Sequence, residues 1–128
     1  MKIVDSSFLI ALYVEEDVQH PKAARIFEET NEELELPFEV LTEMLTVISG
    51  LKGINEVNLV FDKIKKNNQF VIREPLSPDS HRQILTFFLS QKQEDRLSYI
   101  DCLQVVIAKK ENKEIISFDK KIEKAMKH

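Results

Sequence analysis

Apolar residues along this chain follow two patterns that alternate from one end to the other. Four short runs have the length and composition of buried strands: Lys2-Ile3-Val4, Leu34-Glu35-Leu36, Phe70-Val71-Ile72 and Ile115-Ile116-Ser117-Phe118. The stretches between them carry apolar residues at helical spacing. Asp5-Ser6-Ser7 offers a cap for a first helix reaching about Val14. Pro21 suits the first residue of a second helix, with Ala23, Ala24, Ile26 and Phe27 turned inward. Pro37 can open a third, in which Leu41, Met44, Leu45, Ile48 and Leu51 keep helical spacing. Gly50 and Gly53 mark the stop before a fourth, which Asn55 would cap and whose inner face would be Leu59, Val60, Phe61 and Ile64. Ser77-Pro78 starts a fifth helix with Ile84, Leu85, Phe87 and Phe88, and the polar stretch Gln91 to Arg96 reads as a loop. Ser98 begins a sixth with Leu103, Val106 and Ile107 as its core face, and Lys120 onward forms a terminal helix.

Continuously apolar strands that alternate with helices predict an α/β domain with a parallel sheet covered on both faces. The 128 residues suit one domain, 1–128, large enough to bury a core without covalent staples. The single cysteine, Cys102, excludes an internal disulfide and a cysteine-based zinc site, which suits a reducing, cytoplasmic setting. No apolar run is long enough to span a bilayer, so no membrane role is expected. The N-terminal stretch, with one lysine and an early aspartate, reads as a strand entering a helix and not as a signal peptide.

Charge is unevenly spread within the total of −4. Residues 1–50 hold three Lys/Arg against eleven Asp/Glu, and residues 109–128 hold seven against four. A binder of nucleic acid through phosphate contacts alone is usually basic overall, so any RNA contact here falls to local lysines and a metal. Lys92, Arg96, Lys120 and Lys121 are the candidates; they serve equally well as a solvated rim. The acidic run Glu28, Glu29, Glu32, Glu33 and Glu35 reads as a solvated helix end.

Four acids stand apart from that run. Asp5 ends the first strand, Asp119 follows the last, Asp101 lies in the first turn of the sixth helix, and Glu43 lies inside the third. In parallel sheets, ligands bind beyond the C-terminal ends of the strands, where Asp5 and Asp119 are expected. Each acid also has a plain structural reading. Asp5 and Asp119 can cap helices, and Ser98-Tyr99-Ile100-Asp101 fits a capping box. Glu43, one turn after Glu39, is harder to explain, because Val40, Val47 and Gly50 make that side apolar or close-packed. Carboxylates that converge from separate elements repel one another unless a cation compensates them. Hard oxygen ligands of this kind suit Mg²⁺ or Mn²⁺, which can activate water for phosphodiester cleavage. His20, His81 and His128 show no ligand spacing and read as surface or capping residues. Cys102, with no histidine nearby in sequence, reads as a small buried residue.

At these residues the chain resembles a PIN domain, the Mg²⁺/Mn²⁺-dependent ribonuclease fold, and most of all the small prokaryotic VapC-type toxins. IVDSSFLIAL at residues 3–12 resembles the opening strand with its catalytic aspartate and hydroxyl. LTEMLTVI at 41–48, LSYIDCLQVVIAKK at 97–110 and IISFDKKIEKA at 115–125 resemble the segments with the remaining acids. The resemblance implies a three-layer α/β/α fold and endoribonuclease activity. Asp5, Glu43, Asp101 and Asp119 would form the site, with Asp5 and Asp101 as direct metal ligands. Ser6 and Ser117 would be accessory hydroxyls that orient carboxylates or water. It further implies a cognate antitoxin and a homodimer. The alternatives are a catalytically silent PIN-like interaction module and a PIN nuclease of RNA processing outside a toxin-antitoxin pair. A phosphate-accepting receiver domain ranks below both, because Ser6-Ser7 stand where that class has a second acid.

Overall fold

The computed structural model describes all residues 1–128. Four parallel strands, β1 (Lys2–Val4), β2 (Leu34–Pro37), β3 (Phe70–Arg73) and β4 (Ile115–Ile116), lie in the order β3-β2-β1-β4. Seven helices surround them: α1 (Ser6–Tyr13), α2 (His20–Glu29), α3 (Phe38–Lys52), α4 (Ile54–Lys66), α5 (Pro78–Leu89), α6 (Tyr99–Glu111) and α7 (Lys120–Met126). The register pairs Ile3 with Glu35 on one side and with Ile115 on the other.

Neighbouring strand residues point to opposite faces, and the core is split accordingly. Val4, Leu34 and Leu36 pack with Phe8, Leu9, Leu41, Met44, Ile48, Val60 and Ile64 of α1, α3 and α4. Ile3 packs on the other side with Ile84, Leu103, Ile107 and Ile122 of α5, α6 and α7. The result is the three-layer α/β/α arrangement. The chain runs outward from β1 through β2 to β3, then returns to place β4 on the far side of β1. The strand order therefore switches direction between β1 and β4, where the carboxyl ends of open α/β sheets leave a crevice.

Several local expectations are corrected. Asn55 does not cap α4; Gly53 does, in a left-handed conformation (φ 87°) that disfavours any side chain, and the helix starts at Ile54. Gly50 is inside α3. Leu51 and Leu59, expected inward, are 62% and 57% exposed, and Val57 takes a core place instead. Phe87 is 39% exposed, whereas Phe88 packs edge-on against Tyr99. The segment Gln91 to Arg96 contains a short 3-10 turn, Gln93–Asp95. The last strand ends at Ile116, because Ser117 and Phe118 turn out of the ladder toward Asp5 and Ser7. Glu35 is not solvated. It is 6% exposed, and its carboxylate meets Arg73 at 3.2 Å and Lys113 at 2.8 Å.

Candidate active site

The β1–β4 switch point is built outward from Asp5. The ladder continues one residue past β1, since the Asp5 amide donates to the Ile116 carbonyl at 3.0 Å. That bond aligns Asp5 with Ser117. Asp5 is 2% exposed and its carboxylate is almost fully engaged. Oδ2 accepts from the Ser7 hydroxyl (2.6 Å), the Ser117 hydroxyl (2.9 Å) and the Ser7 amide (3.3 Å). Oδ1 accepts from Gln104 Nε2 at 2.8 Å. The capping role is therefore real, through the Ser7 amide at the start of α1, but it uses only part of the carboxylate.

The accessory hydroxyls divide their work differently from expectation. Ser117 touches Asp5 as expected, and its hydroxyl also accepts from the Asp119 amide at 2.9 Å. Ser6 does not touch Asp5; it donates to Glu43 Oε1 at 2.7 Å and so fixes the α3 carboxylate from the first turn of α1. Ser7, which sequence reasoning passed over, is the closest donor to Asp5 and also accepts from the Phe118 amide at 3.0 Å. Gln104 was also missed. The signal was a single amide in the apolar stretch Ile100 to Ala108, one turn beyond Asp101, so that both lie on one face of α6.

Asp101 enters from the opposite layer to Glu43. The Ser98 hydroxyl accepts from the Asp101 amide at 3.1 Å, which gives half of the anticipated capping box. Burial pushes the Asp101 carboxyl up to about 6, and the negative charges of Asp5, Asp119 and Glu43 push the same way, against the Ser98 hydroxyl. The charges of the other three predicted acids thus all bear on the Asp101 carboxyl. Asp119 caps α7 through the Lys121 amide at 2.8 Å. Burial holds the neighbouring Cys102 thiol up at about 11, so it is no nucleophile.

Two histidines are more than surface residues. His20 Nδ1 meets the Ala11 carbonyl at 2.8 Å, near the end of α1. His81 bridges Glu39 Oε2 (3.1 Å) and the Tyr99 hydroxyl (2.6 Å), which ties α5 to α3 and α6. Glu39 also accepts from the Leu76 amide at 3.0 Å, so it serves the scaffold, while Glu43 one turn later serves the acidic edge.

No three His, Cys, Asp or Glu side chains are drawn together as a ready-made metal cage. The donor set fits a hard divalent cation that keeps several of its waters and is held by one or two carboxylates. A groove of ≈ 360 Å³ runs along α7, lined by Glu94, Asp95, Lys120, Lys121, Lys124, Ala125 and His128. Lys22 of α2 stands 5.7 Å from the Phe118 ring. No helix is long and apolar enough to cross a membrane.

Among solved structures, VapC20 of Mycobacterium tuberculosis, described as a toxin that cleaves the sarcin-ricin loop, superposes with a TM-score of 0.86 at 20% identity. The match covers 98% of this chain and 95% of that one. PAE2754 of Pyrobaculum aerophilum superposes with a TM-score of 0.59 at 15% identity, over 98% of this chain and 84% of that one. At such identities these likenesses concern the fold. No curated protein sequence matches the chain. The PIN domain family model matches residues 2–127, and with this fold and this extent of match the chain belongs to the PIN domain family.

Proposed function

We propose that this protein is a metal-dependent endoribonuclease. The observation that carries the reading is the placing of carboxylates at the β1–β4 switch point: Asp5 is held there by Ser7, Ser117 and Gln104, Ser6 beside it holds Glu43, and burial with the charges of Asp5, Asp119 and Glu43 pushes the Asp101 carboxyl up to about 6. Such crowding of negative charge at a strand-end crevice is unfavourable unless a cation is taken up. Asp5 and Asp101 would hold the Mg²⁺ or Mn²⁺, with Glu43 and Asp119 adding charge around it. When bound, the metal supplies a more acidic water and a counter-charge for the phosphodiester. The chain itself contributes positioning. Ser7, Ser117 and Gln104 hold Asp5, and Ser6 holds Glu43. Lys120 and Lys121 stand directly after Asp119, where an RNA backbone could be held.

The likeness in fold to VapC20, described as a toxin, supports reading the chain as the toxin of a toxin-antitoxin pair. A cognate antitoxin, a homodimer and a cytoplasmic setting belong to that reading. Cleavage of RNA in Mg²⁺ by wild type, Asp5→Asn and Asp101→Asn tests the nuclease reading. The variants, shown to be folded, lose cleavage by two orders of magnitude or more if it is right. Equal rates would overturn it in favour of a silent PIN-like module. Growth arrest on expression of wild type and not of Asp5→Asn tests the toxin role separately.

A further inference from the structure

Gln104 is completely buried, yet half of its amide is idle. Nε2 donates to Asp5 Oδ1 at 2.8 Å and approaches the Ile100 carbonyl at 3.5 Å. Oε1 is shut off from solvent and has no hydrogen-bond partner. Turning the amide over does not relieve this. It would set the Gln104 oxygen against a carboxylate and a carbonyl, neither of which can donate in that state. A buried oxygen without a partner costs free energy that an apolar side chain would avoid. The other inward residues of α6, Cys102, Leu103, Val105, Ile107 and Ala108, are all of that apolar kind. Leucine or methionine would avoid that cost, but would leave Asp5 Oδ1, buried and charged, without its one donor.

The lone pairs of Asp5 explain the amide. Each carboxylate oxygen has two acceptor sites. Oδ2 meets three donors, from Ser7 and Ser117, and is saturated. Oδ1 meets one, from Gln104, and keeps one site open. The serines hold one oxygen only, so without Gln104 the carboxylate would be anchored at a single end and free to tilt about it.

We propose that Gln104 is a positioning residue. It fixes the Asp5 carboxylate so that Oδ1, through its one open lone pair, is the atom left to take up a divalent cation. It acts through Asp5 and touches neither metal nor RNA. The proposal rests on the reading of Asp5 as a metal ligand.

The test is calorimetric titration of the intact protein with Mn²⁺ alone, beside thermal unfolding in the absence of metal and RNA cleavage as a function of Mn²⁺. Gln104→Leu and Gln104→Met remove one orphaned oxygen and orphan another, Asp5 Oδ1, so they are expected to melt within about 5 °C of wild type. They should bind Mn²⁺ about tenfold more weakly and need correspondingly more of it for half-maximal cleavage, as for other outer partners of ligands. Gln104→His, which keeps a ring N–H of similar reach, should stay within about threefold of wild type. Either apolar variant suffices should the other fail to fold. Wild-type Mn²⁺ affinity in a folded apolar variant overturns the proposal, as does a lowered melting temperature that accounts for the whole loss. Asp5→Asn separates the two levels. Should it bind Mn²⁺ like wild type, the metal role of Asp5 fails and this inference with it; should it lose binding while the Gln104 variants keep it, only this inference fails.

Discussion

The Ser6 hydroxyl donates to Glu43 Oε1 at 2.7 Å, while its neighbour Asp5 turns the other way to Gln104 and Ser117. Two consecutive residues at the start of α1, Ser6 and Ser7, thus hold two acids on different elements, Glu43 and Asp5. Ser6→Ala should leave the Asp5 contacts in place and free the Glu43 carboxylate. We expect cleavage to fall about tenfold, with a stability change of about 1 kcal/mol, the usual size for one hydrogen bond. Because Ser6 acts through Glu43, the loss should not add to that of Glu43→Gln. A double-mutant cycle on kcat/KM that showed full additivity would remove Ser6 from this role.

The raised Asp101 carboxyl makes a pH prediction with a definite sign. Its folded value, about 6, lies above the ordinary 3.8, chiefly through burial and then through Asp5. Well below pH 3.8 both folded and unfolded chains hold the proton, so Asp101 carries no penalty there. Between about 3.8 and 6 the unfolded chain releases it first, and the metal-free protein loses stability as pH rises. Asp101→Asn removes that loss. At pH 7.5 without metal the variant should melt above wild type, and near pH 4 the gap should shrink. Added Mn²⁺ should raise the wild-type melting temperature at pH 7.5 and much less at pH 5. A gap of equal size at both pH values would contradict the crowding on which the site reading depends.

Lys120 and Lys121 follow Asp119 and line the groove that runs along α7, and both are exposed. Lys124 in the same groove is paired with Asp95 at 2.9 Å and is a poorer candidate for phosphate. Lys120→Ala/Lys121→Ala should weaken binding of single-stranded RNA, raise KM and leave kcat within about twofold. Two lost phosphate contacts would lower the slope of log affinity against log salt by about 1.4, from roughly 0.7 for each contact on single strands. An unchanged slope, measured by fluorescence anisotropy across salt concentrations, would place these lysines on a solvated rim.

The strand–helix alternation was readable because each apolar run has one period and ends in a residue with local consequences. Asp5 and Asp119 cap helices in the structure as their neighbours suggest. What depended on pairing across the fold was not readable. Glu39 and Glu43 share a helix face, yet one meets His81 and the other Ser6, partners 42 and 37 residues away. Gln104 stood out as a lone amide, but nothing local says that Asp5, 99 residues earlier, needs its N–H. Asn55 looked like a better cap than Gly53 until the backbone took a positive φ that favours glycine. Glu35 resembled the solvated acids before it because its cations, Arg73 and Lys113, lie 38 and 78 residues on.

That last cluster gives a prediction of opposite sign to Asp101. Arg73 forks onto Glu111 at 2.9 and 2.7 Å, and Lys113 bridges Glu111 (2.9 Å) and Glu35 (2.8 Å), which ties β2 and β3 to the end of α6. The Arg73 guanidinium, helped by Lys113 against partial burial, holds the Glu111 carboxyl down at about 2. A depressed folded value contributes stability above the ordinary 4.5, and that contribution is lost as pH falls toward about 2. Glu111→Gln should therefore lower the unfolding free energy from urea denaturation at pH 7, by about 1 kcal/mol once solvent screening at this partly exposed pair is allowed for. The variant and wild type should converge near pH 2. Asp101→Asn does the reverse, raising stability most at high pH. Both are removals of one carboxylate from the same helix, so overall net charge cannot account for opposite trends; only the local surroundings of each acid can. Two variants that shifted in the same direction with pH would show that net charge dominates. Because none of Glu35, Arg73, Lys113 and Glu111 contacts Asp5, Glu43 or Asp101, RNA cleavage by folded Glu111→Gln should equal wild type.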